Sequence, residues 1–195
     1  MRRVFRRPVF TLSSFFSGLG RTAWQLPVFV RASRQPSTSV QLHRQVMLAV
    51  TSVTGCRYST AILTRLAGND GLDLRDLQAL LDQRGGQQDD ATAAAILFAQ
   101  HFAGRQAKPS SAYQERLEAY FTPAQRHELL AVISAIYFAN LCGNSADALS
   151  ARLRGFRIED GHLLAEILAT LLCWPVLLAV HIAALSGAIT LGSPD

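Results

Sequence analysis

A chain of 195 residues, 49% hydrophobic and 17% charged, is long enough for one buried core, and that balance excludes an intrinsically disordered protein. Ten arginines and no acidic residue lie between Met1 and Asn69, so the other nine basic residues face all 14 acidic ones and the net charge of +5 is concentrated at the front. Cys56, Cys142 and Cys173 can close at most one disulfide and match no structural zinc spacing, which excludes a disulfide scaffold and gives no sign of a metal or cofactor.

Residues 1–39 read as a basic helix and linker. A basic front end suits anionic lipid, nucleic acid or a targeting peptide. The arginine-rich, acid-poor start is like a mitochondrial presequence, and Arg2-Arg3-Val4-Phe5 faintly echoes a twin-arginine signal. Against both, Pro8, Gly18, Gly20 and Arg21 interrupt the stretch, and no apolar run ends in a small-residue cleavage site. Val9, Leu12, Phe16 and Leu19 recur at helical spacing, as in an interfacial helix on lipid or a helix packed on its own core. The arginines are scattered among apolar residues without a recognition motif, so nucleic acid is not an expected partner.

Residues 40–157 read as a helical domain. After the turn-rich stretch Ser33 to Ser39, a helix over Val40 to Thr54 carries Leu42, Val46, Leu48, Ala49 and Val53. Gly55 interrupts it, and the next helix runs from Cys56 to Ala67, stopping at Gly68-Asn69-Asp70-Gly71. Asp73 can cap a short helix that buries Leu74, Leu77, Leu80 and Leu81 before the break at Arg84-Gly85-Gly86. Asp89 and Asp90 place negative charge at the start of a helix over Ala91 to Ala103. Ser111 with Gln114, and Thr122 with Gln125, have capping-box spacing, and Pro123 suits the first helical position. Those signals predict helices over Ala112 to Phe121 and Pro123 to Leu141. The second is apolar almost all round, through Leu129, Leu130, Val132, Ile133, Ile136 and Phe138, and should be the central buried helix.

Residues 158–195 form an apolar C-terminal segment. Ile167 to Pro194 contains no charged residue unless His181 is protonated. That is long enough to cross the hydrocarbon layer, where Pro175 would be a tolerated kink. With Arg152, Arg154 and Arg157 on its leading side, the positive-inside rule keeps the main domain cytoplasmic and sends Gly192-Ser193-Pro194-Asp195 across. The alternative is a helical hairpin turning at Trp174-Pro175, buried on the domain or in an oligomer interface.

Gly55-Cys56-Arg57-Tyr58-Ser59-Thr60-Ala61-Ile62-Leu63-Thr64 has the frame of a thiol-redox helix, Cys-x-x-Cys-x-x-x-His, with Ser59 at the second thiol position and Leu63 at the imidazole position. A cysteine in the first helical turn beside Arg57 has the setting of a low-pKa thiol. The alternative is a small buried hydrophobe. Ser59 cannot resolve a sulfenic acid and Leu63 cannot shuttle a proton.

Together with Val46-Met47-Leu48-Ala49-Val50-Thr51, Thr64-Arg65-Leu66-Ala67, Leu97-Phe98-Ala99-Gln100-His101 and Asn140 to Leu149, this motif resembles the alkylhydroperoxidase D-like branch of the carboxymuconolactone decarboxylase family. The resemblance covers about Val40 to Gly155. It implies an all-α fold, a helical bundle that forms homo-oligomers, here with an apolar C-terminal helical extension, and a thiol-dependent, antioxidant hydroperoxide reductase activity of the peroxiredoxin type. In active relatives the second cysteine attacks peroxide, the first resolves it, and a histidine with an upstream glutamate relays protons. Carried over singly, the resolving cysteine matches Cys56, the attacking cysteine Ser59, the histidine Leu63, and the glutamate falls at or near Arg44. One of four is retained, so dithiol peroxidase activity is expected to be lost or reduced. The alternative is a one-cysteine peroxidase in which an external thiol reductant resolves Cys56. Cys142 is a speculative partner for Cys56, and Glu128 or His127 a speculative proton relay. His101 reads as a hydrogen-bonded core histidine.

Overall fold

The computed structural model describes residues 4–69, 89–185 and 191. The fold is all-α, with seven helices among the described residues: α1 (Leu12–Arg34), α2 (Val40–Thr54), α3 (Arg57–Asn69), α4 (Asp90–Gly104), α5 (Ser111–Tyr120), α6 (Pro123–Leu153) and α7 (Leu163–Leu185). The expected short helix capped by Asp73 and the break at Arg84-Gly85-Gly86 lie outside the described residues.

Helix α6 organises the bundle and packs against each of the other six described helices. Its 31 residues span about 46 Å at 1.5 Å per residue. Pro123 occupies its first turn, and Thr122 and Gln125 close the reciprocal capping box that their spacing predicts. Leu129, Val132, Ile133 and Ile136 then enter a core with Val46 and Val50 of α2, Phe98 and Phe102 of α4, and Leu117 of α5. A fully buried side chain of this kind contributes about 1.5–3 kcal/mol.

Where sequence reading ends this helix at Leu141, the structure continues it to Leu153. Gly143 disfavours a helix interior by about 1 kcal/mol, and asparagine, serine and aspartate favour caps. Those local preferences are overridden because Asn140, Asn144, Ser145 and Asp147 all find buried partners in other segments. A second correction concerns α5: Ser110 rather than Ser111 is its N-cap, and no side-chain capping bond forms there. Asp89, in contrast, caps α4 through the Thr92 amide as its position suggests.

The arginine-rich opening is woven into the fold. Val4 and Phe5 (β1) pair in parallel with Arg157 and Ile158 (β2). In α1, Leu12 and Leu19 pack on the cluster around Phe10, Phe15, Phe138 and Leu141, while Phe16 faces outward. Val9 precedes the helix and joins a different cluster with Ala148 and Ile158. Within this period Leu12 and Leu19 serve the protein's own core beside Phe15, and Phe16 is left exposed.

Helix α7 runs unbroken through Trp174 and Pro175, so there is no hairpin turn there. Ala165 and Ala169 pack on α6, and Val180 reaches Cys56 and Tyr58. The rest of its circumference is apolar and exposed, with Leu171 at 65% and Val176 at 60%. Among the described residues two helices, α6 and α7, are long and apolar enough to cross a membrane; α6 is mostly buried within the bundle and α7 mostly is not.

Candidate functional site

The thiol motif lies where α2 hands over to α3. Gly55 adopts a left-handed conformation (φ 64°) that most side chains avoid, and its amide closes α2 on the Thr51 carbonyl at 2.8 Å. The chain then turns at once into α3, and the Cys56 carbonyl accepts the first helical bond from the Thr60 amide at 3.0 Å. Cys56 therefore holds the N-cap position. Its thiol lies within hydrogen-bonding reach of the Ser59 amide and hydroxyl and of the Tyr58 amide.

Cys56 is 1% exposed. Burial pushes its pKa above the ordinary thiol value, and the nearby charge of Asp147 adds to the rise, outweighing the hydrogen bonds from Ser59 and Tyr58. The low-pKa thiol suggested by the helix start and Arg57 is thus corrected. A dipole and a cation favour thiolate only where the cost of desolvation is small, and Arg57 is committed elsewhere. Its Nε and Nη2 donate to both oxygens of Asp147, at 2.7 to 3.2 Å, and Nη2 also reaches the Tyr58 hydroxyl.

Asp147 is the electrostatic centre of this region. Only 2% exposed, its carboxylate accepts from Arg57, from the Tyr58 hydroxyl at 2.8 Å and from Arg7 Nη1 at 2.9 Å. Burial, then the Asp147 charge, holds the Tyr58 phenol up at about 12, so it remains a donor at physiological pH. Two guanidinium groups and a phenol compensate the buried carboxylate, as burial of a charge demands. Above them, Asn144 Nδ2 donates to the Thr54 and Pro8 carbonyls, and Asn140 Nδ2 donates to the hydroxyls of Thr51 and Thr54. Asn140, Asn144 and Asp147 share one face of α6. Sequence reading noticed them only as part of a motif; polar residues at i, i+4 and i+7 in an apolar helix were the signal that could have identified them.

Gly143 admits the thiol. A Cβ at this position would sit 2.8 Å from Cys56 Sγ and 3.0 Å from Tyr58 Cδ2. Ser59 is also buried, and Leu63 is 3% exposed against Leu48 and Met47. The two replaced motif positions are therefore incorporated into packing between α2 and α3.

Glu128 and His127 lie far from Cys56 along α6, whereas Cys142 is near enough to feel it. Glu128 lies 14 residues before Cys142 on α6, about 21 Å along the axis. It is buried, and it accepts from the amides and hydroxyls of Ser37 and Thr38, while His43 Nε2 lies 2.9 Å from Oε1. Burial alone would raise its pKa, but the bonds from Ser37 and Thr38 overcome this and hold it at about 2. It latches the linker before α2 and is not placed to relay protons to the thiol. His127 lies at the same end, beside Glu128 in the first turns of α6. Arg44 lies 12 residues before Cys56, near the start of α2. His101 stacks on Tyr113 at 3.9 Å and accepts from the Ser110 amide at 3.2 Å, a structural role. Cys142 lies in the core between α6 and α7, where Cys173 of α7 packs against the same cluster. All three cysteines are free, and Cys142 feels both Cys173 and Cys56, Cys173 the more strongly.

Comparison with protein-family models, curated proteins and solved structures yields no match.

Proposed function

We propose that this protein is a membrane-associated helical bundle of the alkylhydroperoxidase D-like kind that has lost dithiol peroxidase chemistry and works as a binding or assembly module, as a homo-oligomer. One observation carries the loss of chemistry: Cys56 is enclosed, and its neighbour at the second-thiol position is the Ser59 hydroxyl. Peroxide reduction requires an accessible thiolate, a proton donor for the leaving oxygen and a thiol to resolve the sulfenic acid. The enclosed thiol, Leu63 and Ser59 leave each requirement unmet. Two of the segments that carry the resemblance meet, since Arg57 and Tyr58 of one bind Asp147 of the other.

A peroxidase assay with a physiological dithiol tests this reading. Turnover is expected only after the double change Ser59→Cys and Leu63→His. Appreciable turnover by the native chain would overturn the proposal, and labelling of Cys56 by a sulfenic-acid probe after peroxide would favour a one-cysteine peroxidase served by an external thiol.

Membrane association rests on α7. Ile167 to Leu185 is 19 residues without Asp, Glu, Lys or Arg, about 28 Å of helix, close to the thickness of the hydrocarbon layer. Its exposed apolar positions, from Leu163 through Leu171, Trp174 and Val176 to Leu185, cover more than half the circumference. A single partner helix buries a narrower seam, so lipid is the better cover. Because Val180 packs on Cys56 and Tyr58, the bundle lies along the inner face of α7 and lipid would cover its outer face. The full chain should stay with membranes washed in alkaline carbonate; its release would refute lipid as the cover.

A further inference from the structure

A cavity of about 490 Å³, lined by no residue of the Cys56 motif, opens between α1, α4, α5 and the start of α6. Phe98, Phe102, Leu117 and Leu130 supply apolar walls, and Arg21, Gln25 and Arg126 supply polar groups. Volume and lining are those of a small-molecule site with a few converging polar groups.

Two of those polar groups lack partners although they are buried. Gln25 is 8% exposed, yet its side-chain oxygen has no hydrogen-bond partner, and neither has Arg126 Nε. A buried polar group left unsatisfied costs about 1–3 kcal/mol, more for a charged one. Arg126 uses Nη1 on Glu118, leaving Nε over. Arg21 donates from Nη1 to the Ala107 carbonyl at 3.2 Å and lies over the Phe102 ring. That carbonyl is presented by an unusual turn in which Gln106 and Ala107 both have positive φ, 52° and 64°. The turn and the cation–π contact hold Arg21 against the cavity wall.

Two guanidinium groups therefore face this space against one carboxylate, Glu118, itself half-exposed. An acceptor is needed for Arg126 Nε. Gln25 can meet the same acceptor, because a half-turn of its amide exchanges oxygen for NH2. We propose that the cavity binds a small carboxylate with an apolar body: the carboxylate takes the Arg126 and Gln25 end, and the body lies along Phe98, Phe102 and Leu130. The site is independent of the thiol chemistry and of the lipid-facing helix.

The test uses the full chain in nonionic detergent with dansylated undecanoate as fluorescent probe and protein-free detergent as blank. Saturable emission above the blank is expected, displaced by decanoate and not by decylamine. Arg126→Met should weaken the probe at least about tenfold. Glu118→Gln, which removes the carboxylate competing for Arg126 on the half-exposed rim, should tighten it. Opposite shifts from two neighbouring changes cannot come from a general loss of folding. No saturable signal, equal displacement by decylamine, or a Glu118→Gln variant that weakens binding would overturn the proposal.

Discussion

Replacing Gly143 by alanine asks whether Cys56 is a packing element. Within a helix, alanine is favoured over glycine by about 1 kcal/mol. Here the new methyl would meet Cys56 Sγ at 2.8 Å and Tyr58 Cδ2 at 3.0 Å, well inside the roughly 3.5–4.0 Å at which such atoms rest. Neither neighbour can swing away cheaply: Cys56 is enclosed, and Tyr58 is held through its hydroxyl by Asp147. Overpacking of this kind costs about 1–3 kcal/mol. The net effect of Gly143→Ala should be destabilisation by up to about 2 kcal/mol. Cys56→Ala alone should cost about 1 kcal/mol of lost apolar burial. In the double variant the methyl enters the space left by the sulfur, so the two changes should compensate by about 1 kcal/mol or more. Urea unfolding followed by circular dichroism would measure all four corners of the cycle. If Gly143→Ala stabilised the protein by about 1 kcal/mol in both backgrounds, as helix propensity alone would have it, the sulfur would not occupy the place assigned to it.

The Glu128 latch should show in acid. Its pKa is held near 2, below the ordinary value of 4.5, so its contribution is complete above about pH 4.5 and disappears as the pH falls towards 2. In Glu128→Gln this acid-dependent step, read from unfolding midpoints between those pH values, should be reduced, with His43 still present beside the site. Asp147→Ala leaves Arg7 and Arg57 without their buried partner and should destabilise by roughly 3 kcal/mol, measured as a lowered urea midpoint; a change under about 0.5 kcal/mol would contradict the central role given to this carboxylate. Oxidation with diamide should link Cys142 to Cys173, identified by peptide mapping without reduction, and a Cys56–Cys142 crosslink as the main product would contradict the thiol contacts described above.

Helix positions were largely legible because they rest on local physics. Asp89, Thr122, Gln125 and Pro123 act at the helix starts their chemistry indicates, and Gly55 ends α2 in the conformation glycine favours. What escaped sequence reading depends on distant partners. The end of α6 was misplaced because Asn144, Ser145 and Asp147 read as cap formers until Thr54, Phe10 and Arg57 are known to meet them. The ionisation of Cys56 was misjudged for a similar reason. Proximity of Arg57 is written in the sequence, whereas the burial that opposes thiolate, and the carboxylate that claims the arginine, come from α6 and α7. Leu63 was recognised as a departure from the motif, but its contact with Leu48 could not be read from spacing alone.

The contacts made by residues 4–10 have a kinetic consequence. Phe5 pairs with Ile158, Arg7 binds Asp147, and the Phe10 amide donates to the Ser145 hydroxyl. Each joins groups at least 135 positions apart in the chain. During synthesis from the amino end, this segment emerges long before its binding sites exist. It must wait until α6 and β2 have been made, and closing such long loops slows folding. A segment translated well before its partners is thus among the last to dock, leaving a basic, aromatic strand without its native contacts until α6 and β2 have been made.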